Sequence, residues 1–164
     1  MTQATATAQP AALLTPEHLL THWQGHRRLT RRMIEAFPED QLFTFTAAPP
    51  MRSFGALAWE LYNVSAYMLD GLVSDEWPNP DSSAPEPQDR AALLAAWDEL
   101  TAKIDEGLPT IPPARYGEEK TLFWGVMLAL DAALYAIDNE IHHRGQGYVY
   151  LRALGIEPPP FWER

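Results

Sequence analysis

The five histidines of this chain fall into two groups. His18, His22 and His26 recur at every fourth residue, a spacing that stacks side chains on one face of a helix. On paper this is a metal-binding ladder, yet at a rise of about 1.5 Å per residue the outer two imidazoles stand about 12 Å apart and cannot easily close round one ion. A partly exposed strip beside Trp23 is the plainer reading. The other two lie in the string DNEIHHRGQGYVYLRALGIEPPPFW, Asp138 to Trp162. Asp138 and His142 are four apart and read as a surface ion pair on the flank of a helix. Asn139 and His143 are also four apart, on a face otherwise made of Ala132, Ala136 and Gly147, whose small side chains leave room for a pocket. With no cysteine, the chain has no disulfide, no thiolate metal site and no thiol nucleophile, so any metal must be held by His, carboxylate or amide groups. Nothing resembles a Ser-His-Asp arrangement, a phosphate loop or a dinucleotide fingerprint, which argues against phosphoryl and hydride transfer.

The elements that must position these residues read as helices. Thr15-Pro16-Glu17 supplies a cap, a first-turn proline and a first-turn acid, and Leu19, Trp23, Thr30, Met33 and Phe37 then form one stripe that ends near Pro38. A second helix runs from Ser53 to about Val73, with Phe54, Leu57, Ala58, Leu61, Ser65, Met68 and Leu72 on one side, and is closed by WPNPDSSAPEPQ, Trp77 to Gln88. Asp89 caps a third, carrying Leu93, Leu94, Trp97, Leu100 and Ile104 and stopped by Gly107-Leu108-Pro109. The last is expected from about Leu122 to Leu154, with Gly155 as its stop. It presents two apolar faces: Leu130, Leu134, Ile137, Ile141 and Tyr148 on one, and Leu128, Ala129, Ala132, Ala136, Asn139, His143, Gln146, Gly147 and Tyr150 roughly opposite. The expectation is an all-α four-helix bundle with room for an extra short helix in its loops. One face of the last helix would serve the core and the other a site or a second subunit, so a homodimer is expected.

Whole-chain arithmetic narrows the functions. The 164 residues are 46% hydrophobic, enough for one domain, expected over residues 15–164 behind a disordered leader of residues 1–14. Twenty-two acidic against 12 basic side chains give a formal charge of −10, the wrong sign for binding nucleic acid or an anionic membrane. The basic cluster Arg27, Arg28, Arg31 and Arg32 reads as a solvated helix face. MTQATATAQPAA lacks the pattern of a secretory signal and every apolar stretch is interrupted, so a cytoplasmic protein is expected.

The run Glu140-Ile141-His142-His143-Arg144-Gly145-Gln146, followed by Tyr150-Leu151-Arg152, Leu154-Gly155 and a proline pair, together with Ser53-Phe54-Gly55-Ala56-Leu57 opening helix two, resembles the DinB/YfiT-like family of four-helix bundles. That resemblance implies a divalent metal held by three histidines, one on helix two and a His-x-x-x-His pair on the last helix. Carried over, the second member of the pair is His143, the first falls on Asn139, and the helix-two position falls on Glu60. The implied ligand set is then His143, Glu60 and Asn139, with Zn, Ni, Mn and Fe as candidate ions and a lean toward the oxygen-loving ones. Glu60 would ligate or serve as the catalytic base. The activity implied is metal-assisted thiol S-transfer or hydrolysis on a small molecule. The alternative is that Glu60, Asn139 and His143 satisfy one another in a closed polar network, giving a metal-free, non-catalytic homodimer with a binding or stress-linked role. Arg144 and Arg152 are expected to pair with Glu140 and the C-terminal acids, and Gly145 and Gly147 to permit close helix approach.

Overall fold

The computed structural model describes residues 14–80 and 85–164. The expected leader lies outside the described residues except for Leu14. Four long helices dominate: α1 (Pro16–Ala36), α2 (Phe54–Ser74), α3 (Arg90–Gly107) and α4 (Ala129–Ala153). Each of the first three starts where a side chain can accept from an otherwise orphaned backbone N–H: Thr15 takes that of His18, Ser53 that of Ala56 and Asp89 that of Ala92. Two short 3-10 turns, Leu108–Thr110 and Pro113–Gly117, follow α3.

The start of the last helix differs from expectation. Residues 119–128 form an antiparallel hairpin, β1 (Glu119–Leu122) paired with β2 (Gly125–Leu128), with Glu119 opposite Leu128 and Leu122 opposite Gly125. The apolar run from Leu122 fits a strand as well as a helix over so short a length, and Gly125, at φ 154°, adopts a backbone that other residues rarely take. Leu128, assigned above to a helix face, is instead the flanking residue and makes no side-chain cap. The Ala129 N–H is taken by the Glu118 carbonyl at 2.9 Å, so the hairpin itself closes the helix start.

End contacts fix the helix directions. Phe37, just past α1, stacks on Phe54 at the start of α2 with ring centroids 4.6 Å apart, and Arg90 at the start of α3 pairs with Glu39 at 2.9 Å. Tyr150, near the end of α4, donates to the carbonyl of Arg52 at 2.9 Å. One end of the bundle therefore gathers the C-termini of α1 and α4 with the N-termini of α2 and α3. The helices run up, down, down, up, and the α2–α3 connection is a long crossover.

The core fills in two apolar groups. One joins Trp23, Met68, Leu72, Leu100 and Ile104 to Ala129, Ala132, Ala133 and Ala136; the other centres on Phe37, Phe54, Leu61, Trp97 and Tyr150. The alanine row is the buried face of α4, continued by Glu140, His143, Gly147 and Leu151. Of the rival face only Ile137 is buried: Leu130, Leu134 and Tyr148 are half-buried and Ile141 is exposed. Gly147 lets α4 approach α2, since a Cβ there would lie 2.4 Å from the Phe54 ring. Gly145 has no such role, because a Cβ there would meet nothing within 4 Å. Among the described residues no helix is long and apolar enough to cross a membrane.

Candidate functional site between α2 and α4

Glu60 sits on α2 at the border of its apolar stripe, where a carboxylate is costly without compensation. Two partners supply it. His143, on the buried face of α4, places Nε2 3.0 Å from Glu60 Oε1, and Arg52, one residue before the α2 cap, pairs with Oε2. A carboxylate only accepts, so the His143 Nε2–H donates. Burial pushes the Glu60 carboxyl up, but the bond from Arg52 and the charge of His143 outweigh it and hold Glu60 below the ordinary glutamate range. On the other side of the ring, His143 Nδ1 lies 3.4 Å from Gln146 Oε1, and Gln146 Nε2 lies 3.2 Å from His142 Nε2. His142 is exposed and makes no ion pair with Asp138 among the described residues.

Of the three residues singled out, the fold brings Glu60 and His143 into contact. Asn139 lies one turn before His143 on the same helix, half-buried, and hydrogen-bonds to neither. Its Nδ2 is buried with no partner among the described residues. Arg52 was missed. Its signal was available, because an arginine immediately before a helix cap can reach the first exposed turns of that helix.

The other polar residues depart further from expectation. Arg27 is fully buried rather than solvated: its guanidinium lies 3.8 Å from the centre of the Trp97 ring and donates to Thr101 Oγ1 at 2.8 Å and the Trp97 carbonyl at 2.9 Å. Arg31 does pair at the surface, with Glu35 and Asp98. In the histidine ladder His18 and His22 are exposed but His26 is buried, with Nδ1 2.8 Å from Arg144 and Nε2 3.0 Å from Arg164. Burial, then the charge of Arg144, pushes His26 down to about 3. Arg144 also reaches Glu140 at 3.4 Å, as expected, whereas Arg152 lies over the Tyr148 ring and pairs with no C-terminal acid. Glu140 is fully buried and accepts from Thr30; burial raises its carboxyl against the pull of Arg27 and Arg144. This internal network holds the helices in place and does not open onto Glu60.

A family model described as the DinB family matches residues 1–164. The chain belongs to the DinB family. Among relatives, it is 22% identical over 148 residues to the uncharacterized protein YjoA of Bacillus subtilis (strain 168), covering 89% of this chain and 95% of that protein. The crystal structure of that DinB-like protein is similar at a TM-score of 0.73 with 20% identity, covering 89% of this chain and 99% of the other. A DinB-like protein from Bacillus cereus ATCC 10987 gives a TM-score of 0.71 with 20% identity, over 88% and 95% of the two chains. At that identity the likeness speaks for the fold.

The donor set here does not fit the three-histidine centre that resemblance to DinB proteins implies. It holds one imidazole, and the Nε2 of that imidazole is given to Glu60. The second Glu60 oxygen is held by a guanidinium, which already places a positive charge where an ion would sit. Asn139 contributes a neutral amide, and among the described residues no group of three or more His, Asp or Glu side chains converges. What the arrangement can do is hydrogen-bond: an Arg52–Glu60–His143 chain runs across α2 and α4 beside an amide donor without a partner.

Proposed function

We propose that this DinB-family bundle binds a small molecule at the junction of α2 and α4 without a metal, anchoring it on the Arg52–Glu60–His143 chain and on Asn139. The observation that carries this is the double engagement of Glu60, one oxygen by His143 at 3.0 Å and the other by Arg52. A carboxylate so neutralised has little left to offer a cation, while the unpartnered Asn139 Nδ2 calls for an acceptor such as a carbonyl or carboxylate of a ligand. In this reading the protein is a binding module.

A metal-assisted thiol S-transferase or hydrolase is the second reading, favoured by the family pattern, in which Glu60, Asn139 and His143 stand at the three ligand positions. The two readings separate by metal analysis of protein purified without a histidine tag, followed by titration of Zn²⁺, Ni²⁺ and Mn²⁺. The binding module is expected to carry no stoichiometric metal and to titrate weakly or not at all. One tight equivalent, abolished by His143→Ala and strengthened by Asn139→His, would overturn it in favour of the enzyme.

A further inference from the structure

A cavity of about 560 Å³ lies on the outer side of α2, beneath the start of the α2–α3 crossover, with Trp59, Asn63, Tyr67, Asp70 and Glu76 among its walls. Neither Glu60 nor His143 lines it, so it stands independently of the site proposed above. Its volume is that of a small-molecule site, and its lining has a consistent chemistry. Among the described residues that line it there is no lysine, arginine or histidine.

Neither carboxylate is held in an ion pair: Asp70 and Glu76 form none among the described residues, whereas Asp75 between them in sequence is paired with Lys120 and Glu99 on α3 with Lys103. Lys103, whose charge reaches Asp70, is held by Glu99 at 2.8 Å. The aromatic walls are fixed in advance. Trp59 is stacked on Tyr62 with centroids 4.5 Å apart, and Tyr67 is wedged edgewise between Trp77 at 5.8 Å and Phe123 at 5.7 Å. The Tyr67 hydroxyl is buried with no partner among the described residues.

Ring faces attract cations and methylene groups together, and unpaired carboxylates fix an ammonium by charge-assisted hydrogen bonds. A hydrated inorganic cation gains little from tryptophan, tyrosine and the proline rings of Pro78 and Pro80, and prefers converging oxygens. Two separate carboxylates suit two charges. We propose that this cavity binds a small organic dication, a short aliphatic diamine whose ammonium ends meet Asp70 and Glu76 and whose methylenes lie against Trp59 and Tyr67.

The test is calorimetric titration of 1,4-diaminobutane into the full chain at low salt, with tryptophan fluorescence followed in parallel. Saturable binding of one equivalent is expected, with a Kd below about 1 mM. Asp70→Asn and Glu76→Gln, both at exposed positions where folding is not at stake, should each weaken it about fivefold, and Trp59→Leu by a similar factor. Uncharged 1,4-butanediol should not bind, and Glu119→Gln, an exposed acid on the hairpin outside the cavity, should leave the affinity unchanged. The proposal is overturned by an absence of saturable binding, by Mg²⁺ competing at equal concentration, or by Glu119→Gln weakening binding as much as the cavity variants do.

Discussion

Glu60 and Glu140 show how differently two carboxylates on facing helices are stabilised. Glu60 is partly exposed and its carboxyl is held below the ordinary value by Arg52 and His143 against the effect of burial. A group depressed in the folded state contributes stability that is complete above its unfolded value, near 4.5, and is lost as pH falls through the folded one. Glu60→Gln should therefore cost up to about 1 kcal/mol near neutral pH, and the gap from the parent protein should narrow as the pH falls below the ordinary glutamate range, as read by urea denaturation at several pH values. A gap independent of pH would show that Glu60 acts only through packing. Glu140 is fully enclosed, and removing it takes away the ion-pair partner of buried Arg144 and the leading negative charge acting on buried Arg27. Glu140→Ala should destabilise by about 3–5 kcal/mol in the same assay. These two acids also mark what the sequence disclosed. Resemblance points to Glu60 and His143, which touch, and the spacing pairs Glu140 with Arg144, whereas Arg27 reads as part of a solvated face although it lies on a buried line, Leu19–Trp23–Arg27–Thr30. Charge had been weighed above helical phase, and phase decided.

At the scale of the element, α4 is the helix whose packing can be tested most sharply, because two glycines two residues apart face opposite environments. Gly147→Ala would press a methyl group into the Phe54 ring and should destabilise by about 1–3 kcal/mol. Gly145→Ala meets open space and should stabilise by about 0.5–1 kcal/mol, since alanine restricts the unfolded chain and favours helix. Thermal unfolding of the pair checks both signs, and a matching loss in the two variants would contradict the packing described. The boundaries of α1, α2 and α3 were legible because capping residues announce them. The start of α4 was not, because Leu122 to Leu128 carries no cap, and a short apolar run suits either period.

At the scale of the whole molecule, the described residues leave an apolar surface along α4 and the tail without cover. Ile141 and Val149 on the outer face of α4 are exposed, as are Phe161 and Trp162 in the tail, at 63% and 68%. A second copy related by a two-fold axis is the simplest partner for such a patch, so sedimentation equilibrium at about tens of micromolar should report a dimer, and Ile141→Glu with Trp162→Glu a monomer. A parent chain that sediments only as monomer would remove the dimer. The helical class was legible from the three- and four-residue spacing throughout, whereas the up-down-down-up order was not, since it depends on which ends meet. One consequence of the hairpin reaches across the entire bundle. Because the Glu118 carbonyl receives the first N–H of α4, the strand pairing sets the angular phase of that helix as a vernier sets a dial. A slip of one residue would turn α4 by about 100°, swing His143 away from Glu60 and carry Glu140 out from under Arg27. Four residue pairs of sheet thus index both the candidate site and the buried charges, and an insertion at the Phe123-Trp124 turn is the small lesion to which this architecture is most exposed.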